Sequence, residues 1–300
     1  MIDQRLRMLR VVADQGTISA AADALGYTPS AVSHQMRTLA RDVGVPLLEH
    51  QGRGIRLTGA ARTLLERSHH LFAEWEEIRA EVQRTSDSAS GYLRLAGFST
   101  AASTLLPPVA VAVQRTFPRS VVRILEADPE ECFDLLLADQ ADVAVVIGTG
   151  LLPPSSDPRF DQLPLMEDRI DLLVSAQHEL ASRGRVRLAD AADEPWIMDR
   201  PGRPYHQMAL AACAAAGFTP QHAHEVVEWD TCVAMVASGL GIALVPRLAR
   251  IPAAEVVRIP LRGEASPVRH VRTSVRRGTA GQPEIACALA ELRSAADLLG

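Results

Sequence analysis

Residues 17–41 read TISAAADALGYTPSAVSHQMRTLAR, and this stretch predicts two short helices joined by a glycine turn. Ser19 is a favourable N-cap for the first helix, and Gly26 is a favourable residue for its end. Thr28 is placed to cap the second helix, and Pro29 fits its first turn, where a missing N–H is tolerated. Two short helices in this order predict a helix-turn-helix.

The second of these helices has one apolar face and one polar face. The apolar residues recur at helical spacing and are expected to face inward: Val32, Met36, Leu39 and Val43. The polar set is expected to face outward: Ser30, Ser33, His34, Gln35, Arg37 and Arg41, of which only Arg41 has an acid (Asp42) beside it in sequence. Such a face can present side chains to the major groove of DNA. We expect base contacts from Ser30, Ser33, His34 and Arg37, and phosphate contacts from Thr28 and Gln35.

The flanking residues predict a further helix and a hairpin. A helix is expected over residues 3–15, and two short strands, residues 46–49 and 55–57, are expected around the turn at 50–54. A glycine- and arginine-containing hairpin beside a helix-turn-helix is interpreted as a wing, with Arg53 and Arg56 contacting phosphates. The alternative is an ordinary solvated turn.

A long helix is predicted from Thr58 to about Thr85. Its apolar residues recur every three or four positions over three heptads, which is the spacing of a helix that pairs with another helix. The expected dimerisation residues are Leu64, Leu71, Trp75, Ile78 and Val82. Packing onto its own domain is the alternative. Residues 86–91 (SDSASG) form a small, polar hinge.

The stretch TISAAADALGYTPSAVSHQMRTLARDVGVPLLEHQGRGIRLTGAA (residues 17–61) resembles the LysR-type transcriptional regulators in residue order and spacing. The resemblance implies a winged helix-turn-helix DNA-binding domain over residues 1–58, hereafter the head, and a linker and dimerisation helix with its hinge over 59–90. It extends less specifically to an effector-binding domain over 91–300, through GFSTAASTLLPP (97–108) and VAMVASGLGIALVP (233–246).

The C-terminal part alternates strand-like and helix-like segments, which predicts parallel βαβ units. The expected strands are 92–96, 121–126, 143–147, 170–174, 196–198, 223–227, 242–245 and 268–275. The expected helices are 106–114, 130–138, 205–216, 230–238 and 283–299. The fold class is therefore α/β overall, with an α-rich head and a long linker helix, and the family resemblance implies a two-lobed α/β effector domain. The family resemblance likens that domain to periplasmic binding proteins (type 2), with lobe I at about 91–161 plus 268–300 and lobe II at about 162–267.

The same resemblance implies a small-molecule effector bound between the lobes. Polar residues that follow strands and open helices are the expected contacts, because free N–H groups at helix N-termini bind anions. The candidate effector residues are Ser99, Thr100, Asp128, Gly148, Thr149, Arg200, Tyr205, His206 and Thr231.

Composition narrows the functional classes. The net charge is −5, yet residues 1–60 hold seven arginines and five acids, a balance of +2. All 31 basic residues are arginine, which excludes Schiff-base and P-loop lysines. The segment 239–244 (GLGIAL) lacks the third glycine of a dinucleotide fingerprint, and no metal or nucleophile motif is found. We therefore expect no enzyme activity, no cofactor and no metal.

The expected partners are double-stranded DNA, a second copy through the linker helix, further copies in a tetramer, and a small-molecule effector. RNA polymerase is a further candidate partner. No membrane partner is expected, and a cytoplasmic location is expected because signal-peptide and transmembrane patterns are absent. Two alternatives remain: a regulator that senses oxidation through Cys213 and Cys232, and a cytosolic solute-binding protein.

Overall fold

The computed structural model describes residues 3–51, 54–84, 91–148, 152–251, 255–263 and 266–299. Contacts divide the chain into two compact units. Unit 1 comprises the described parts of 1–146, 150–165 and 272–299; unit 2 comprises those of 147–149 and 166–271. This division places the head and the linker helix in the same unit as lobe I, whereas the sequence treats them as separate domains.

The head begins with three helices: α1 (Gln4–Gln15), α2 (Ile18–Leu25) and α3 (Pro29–Val43). Thr28 caps α3 by accepting a hydrogen bond from the Ala31 N–H at 3.3 Å, as predicted. The predicted cap of α2 was wrong. Thr17, not Ser19, accepts the hydrogen bond from Ala20 N–H at 3.1 Å, because the chain is still extended at Thr17 and already helical at Ile18.

One apolar core holds these helices together. Leu9, Val32 and Leu39 are almost fully buried in it, which confirms the predicted inward face of α3 for its first three turns. Val43 departs from the prediction, since 43% of its surface is exposed. It is the last residue of α3, and the chain turns away at Gly44, whose φ of 83° ends the helix.

A hairpin and a long helix complete the N-terminal part. Strands β1 (Leu48–Gln51) and β2 (Gly54–Leu57) pair antiparallel, with Leu48 opposite Leu57. Helix α4 (Gly59–Arg84) follows, and the Thr58 hydroxyl caps it by accepting from the Ala61 N–H. The predicted strand over 46–49 therefore begins two residues later, while the predicted long helix is confirmed.

Lobe I contributes a parallel sheet to unit 1. Strand β3 (Tyr92–Gly97) pairs in parallel with β4 (Val121–Glu126) and β5 (Val143–Ile147). The connecting helices are α5 (Ser99–Thr104), α6 (Leu106–Thr116) and α7 (Pro129–Leu137). The parallel βαβ prediction is confirmed here.

Strand β6 (Phe160–Ser175) carries the chain into unit 2. Unit 2 contains β7 (Pro195–Met198), α8 (Pro204–Ala215), β8 (Gln221–Glu225), α9 (Trp229–Ala237), β9 (Ala243–Pro246) and β10 (Val256–Pro260). Strands β9 and β10 both pair antiparallel with β6, and β7 pairs in parallel with β8.

Strand β11 (Val268–Arg276) returns the chain to unit 1, where α10 (Pro283–Asp297) packs on α6. The sequence predicted β6 only from residue 170 and missed β10. No helix in the described part of the chain is long and apolar enough to cross a membrane.

Candidate functional site

The polar face of α3 lies at the surface of the head. Thr28, Ser30, His34 and Arg37 are exposed, and Ser33 and Gln35 are half-buried. The Thr28 hydroxyl is already engaged, because it caps α3 and lies 3.1 Å from the Ser30 hydroxyl. The structure thus brings six of the eight predicted DNA-contacting residues together at the N-terminal half of one helix.

Arg37 is an exposed cation on this face. Its Nε donates to the Ser33 carbonyl at 3.4 Å, and among the described residues no carboxylate lies within ion-pair distance of it. The sequence suggested that Asp42 would offset Arg41. In the structure Asp42 instead accepts from Arg5 at 2.6 Å, and Arg41 donates to the Thr38 hydroxyl. Among the described residues, Arg41 therefore has no carboxylate at ion-pair distance.

The hairpin presents one of its two predicted arginines. Arg56 is exposed on β2 and pairs with Glu49 across the hairpin at 2.6 Å. Arg53 lies outside the described residues. A DNA phosphate that binds Arg56 therefore competes with the Glu49 carboxylate for its guanidinium.

Helix α4 has two apolar faces with different surroundings. One face packs within unit 1 and is almost fully buried: Ala61, Leu65, Ser68, Phe72 and Ala80. The other holds the predicted dimerisation residues: Leu71, Ile78 and Val82 are 49%, 46% and 62% exposed, and Leu64 and Trp75 are half-buried. The internal face packs within the chain's own unit, and the exposed face stays the predicted dimerisation surface.

In lobe I, three candidate effector residues follow neighbouring parallel strands. Ser99 opens α5 after β3, and Asp128 is the N-cap of α7 after β4, with Gly97 opposite Glu126 in the strand register. The structure therefore brings these two chain segments together at one edge of the sheet. Thr100 is only 2% exposed, so its side chain belongs to the interior of the lobe.

In unit 2, Arg200 and Thr231 are exposed near the N-termini of α8 and α9. These two termini are neighbours, because the rings of Tyr205 and Trp229 meet edge to face with centroids 5.1 Å apart. The Gly148 N–H donates to the His270 carbonyl at 2.8 Å, and Thr149 lies outside the described residues.

Two candidate effector residues of α8 are engaged in packing instead. The Tyr205 hydroxyl donates to the Leu244 carbonyl at 3.0 Å, and burial raises the pKa of Tyr205 so that it remains a donor. His206 is 8% exposed and its ring lies against His222. Both side chains therefore take part in the packing of the lobe, and their contact with a ligand stays a prediction.

The sequence missed an ion-pair network in unit 1. Asp142 is buried and pairs with Arg94 at 2.8 Å and Arg276 at 3.2 Å. Burial opposes ionisation of Asp142, but the hydrogen bonds and charges of these arginines outweigh it and lower its pKa. Partners more than 40 residues apart leave no local sequence signal. Among the described residues, no group of three or more His, Cys, Asp or Glu side chains is placed to hold a metal ion.

Comparison with known proteins identifies both halves of the chain. Residues 4–62 match the family described as bacterial regulatory helix-turn-helix protein, lysR family, and residues 86–297 match the LysR substrate binding domain. Together these matches cover the head, the start of the linker helix and the effector half.

Individual relatives agree with these matches. The chain is 31% identical to the probable HTH-type transcriptional regulator LrrA of Synechococcus elongatus, over 86% of each chain. It is 27% identical to the DNA-binding transcriptional dual regulator OxyR of Escherichia coli, over 82% of this chain and 79% of the relative.

Solved structures show the same fold. A full-length OxyR variant from Pseudomonas aeruginosa has a TM-score of 0.66 at 19% identity, covering 99% of this chain and 95% of that one. The LysR family regulator CbnR in complex with its target DNA has a TM-score of 0.56 at 23% identity, covering 99% and 100%. This chain belongs to the LysR family and is a DNA-binding transcriptional regulator with an effector-binding domain, not an enzyme.

Proposed function

We propose that this regulator reads its operator with Ser30, Ser33, His34 and Arg37 of α3, and that Thr28, Gln35, Arg53 and Arg56 contact phosphates. The observation that carries the proposal is the exposed polar face of α3 with Arg37 free of a carboxylate in the described residues. An arginine on a helix in the major groove donates two parallel hydrogen bonds to guanine, and each such pair discriminates strongly between bases.

The test is DNA binding by the full chain on the segment that flanks its own gene. Arg37→Ala should weaken binding by about 1–3 kcal/mol and relax the preference at one base pair. Arg119→Ala is the matched control, because Arg119 is also exposed but lies in lobe I. Fluorescence anisotropy on the wild-type site and on single-base variants measures both effects. Unchanged affinity and unchanged preference would refute the role of Arg37.

We infer that the regulator dimerises through the exposed face of α4. Apolar side chains at heptad spacing that remain exposed in a single chain are typical of a helix that pairs with a second copy. A dimer sets two heads at a fixed distance, which matches two half-sites on DNA. A tetramer and an RNA polymerase contact remain predictions.

The dimer is tested by placing a charge on this face. Leu71→Glu should lower the mass measured by light scattering from dimer to monomer, because a carboxylate would be buried without a partner. His70→Glu is the control: it adds the same charge at an exposed neighbouring position off the stripe. Equal masses for the two variants would contradict the proposed interface.

We further propose that a small carboxylate effector contacts polar groups near the helix N-termini of the effector half. The proposed set is the one that the sequence predicted: Ser99, Thr100, Asp128, Gly148, Thr149, Arg200, Tyr205, His206 and Thr231. Arg200 supports an anionic ligand, because its guanidinium is exposed beside the N-terminus of α8.

Thermal denaturation of the full chain tests this point with succinate and phenylacetate as aliphatic and aromatic probes. A carboxylate at a hundred times its Kd should stabilise the protein by about 2.7 kcal/mol, and Arg200→Gln should weaken that response. Arg119→Gln serves again as the exposed control. Equal responses in wild type and Arg200→Gln would remove Arg200 from the site.

The relatives named hydrogen peroxide-inducible genes activator favour the redox alternative as a second candidate. The thiols of this chain count against it. Cys213 and Cys232 are buried in different core clusters, and burial raises their pKa to about 11 and about 12. Because the thiolate is the reactive form, both thiols should resist oxidation. Formation of a Cys213–Cys232 disulfide after peroxide treatment, detected by mass spectrometry, would restore the alternative.

A further inference from the structure

A cavity lies inside unit 1 where the head, the linker helix and lobe I meet. Its walls come from α1, from α4 and from residues of lobe I around Asp139, Arg159 and Arg276. Direct bonds hold these parts together beside it: Gln15 donates to Asp134 at 3.1 Å, and Gln140 donates to the Ala24 carbonyl at 2.8 Å. The cavity is therefore a junction between parts of the chain that are far apart in sequence.

Five arginines line the cavity: Arg7, Arg10, Arg159, Arg276 and Arg277. Four of them have acidic partners. Arg7 pairs with Glu76 and Asp139, Arg159 with Asp14 and Asp157, Arg276 with Asp139 and Asp142, and Arg277 with Asp161. These acids are thus already engaged by cations.

Arg10 is the exception among the described residues. It is 8% exposed, no carboxylate lies within ion-pair distance, and its Nε and Nη2 atoms are buried without a hydrogen-bond acceptor. Its guanidinium lies over the Phe72 ring, 4.6 Å from the centroid. The face of an aromatic ring attracts a cation, but it does not accept the hydrogen bonds that the N–H groups donate in the plane of the guanidinium.

The electrostatics of the junction point the same way. Burial lowers the pKa of Arg10 to about 10; Asp14 opposes this lowering, while Arg159, Arg7 and Arg276 repel the charge further. Asp14 bonds to Arg159 at 2.9 Å and lies beyond ion-pair distance of Arg10, so it offsets part of this repulsion without pairing with Arg10. A second donor, Arg276 Nε, is also buried without an acceptor. A buried charge is costly unless it is paired, and Arg10 has no counter-charge at ion-pair distance among the described residues.

We propose that this cavity is a binding site for a compact oxyanion, held by Arg10 and Arg276, and that its occupancy fastens the head to lobe I. The cavity volume of about 20 Å³ exceeds the roughly 10–15 Å³ that one water molecule needs, so it admits a small anionic group rather than a whole metabolite. An anion there adds charge-assisted hydrogen bonds to donors that have none. Because α1, α4 and lobe I all contribute walls, a bound anion stabilises their contact.

Inorganic phosphate is the probe, exchanged for chloride at constant ionic strength with the full chain. The wild type should show a saturable rise in Tm, roughly 5 °C at a hundred times the Kd. Phosphate also stabilises proteins in general through exclusion from their surface, but that effect does not saturate. Arg10→Met keeps an unbranched side chain against Phe72 without the charge, so it should lose the saturable part and be at least as stable as wild type in chloride.

The controls separate this site from the others. Arg119→Gln, an exposed arginine of lobe I, and Arg200→Gln, in the proposed effector set, should both keep the saturable response. Sulfate should replace phosphate if any compact oxyanion suffices. A saturable response of equal size in Arg10→Met, or none in the wild type, would overturn the site.

Hydrogen exchange of the wild type provides an independent measurement should Arg10→Met fold poorly. Phosphate should slow exchange in α1 and in residues 137–142 together, because both line or adjoin the cavity. Protection of residues 137–142 without α1 would show that the anion does not fasten the head.

Discussion

The outer face of α3 and the junction beneath α1 both carry an arginine without an acidic partner in the described residues, yet their surroundings differ. Arg37 is exposed, so water solvates its charge and leaves it available for DNA. Arg10 is 8% exposed, so its charge has lost most of its water. An unpaired cation at the surface is therefore solvated and available for contact, whereas the same residue in the interior indicates a missing counter-charge.

The comparison implies that the acids of the junction are essential to it, and Asp142→Asn should have the largest effect. The substitution removes charged hydrogen bonds from the half-buried Arg94 and Arg276 and leaves them Asp139 as a carboxylate partner, which costs about 1.5–3 kcal/mol of unfolding free energy. Urea denaturation measures the loss. Asp23→Asn, at an exposed position of α2, should change stability by less than about 0.5 kcal/mol. Similar losses for the two variants would break the distinction between interior and surface charge.

The same distinction decides what could be predicted from the sequence. The face of α3 follows from local signals. Thr28 and Pro29 begin the helix, Gly44 ends it, and the helical period of 3.6 residues places Leu39 and Arg37 on opposite faces. The junction has no such signal, because Arg10, Asp142 and Arg276 approach one another only through the tertiary fold.

Strands show the same limit in another form. The buried half of β6, from Ile170 onwards, is an apolar run, and the sequence predicted it. The half from Phe160 to Asp168 contains Pro164 and several polar residues. It therefore lacks the apolar pattern of a strand, and the sequence analysis missed it. Likewise, the sequence could not indicate that Tyr205 bonds to Leu244, since the two residues lie on different elements.

The next effect in size concerns the charge of His69 on α4. Burial lowers the pKa of His69 from 6.5 to about 4, and Arg10 and Arg159 add to the lowering, whereas Asp157 opposes it. The unfolded chain therefore binds more protons between these values. Stability is present above pH 6.5 and is lost as the pH falls towards 4, by about 1–2 kcal/mol after solvent screening of this half-buried ring.

His69→Gln should flatten this loss in urea denaturation between pH 6.5 and 4. His70→Gln is the control, since His70 is the exposed neighbour on the same helix. Saturating phosphate should also reduce the loss in the wild type, because an anion beside Arg10 offsets part of the positive potential at His69. An identical pH profile for wild type and His69→Gln would show that the junction does not hold His69 in its neutral form.

The smallest effect belongs to the surface pair of the hairpin, Arg56 with Glu49. The two side chains are 60% and 48% exposed, so the pair should contribute less than about 1 kcal/mol to stability. Its importance is for DNA, because Glu49 competes with phosphate for Arg56. Glu49→Gln should leave the Tm unchanged, raise the affinity for all sequences alike and steepen the salt dependence of binding.

Arg56→Gln should do the opposite and reduce the salt slope by about one. Anisotropy titrations at several salt concentrations, on specific and unrelated DNA, separate this uniform change from the site-selective loss expected for Arg37→Ala. If Glu49→Gln altered the preference between sequences instead, the hairpin would contact bases rather than phosphates. The head would then read DNA through two elements, α3 and the hairpin. The contrast between exposed Arg37 and buried Arg10 would still hold, because it depends on how far water solvates each charge and not on which groove the hairpin reaches.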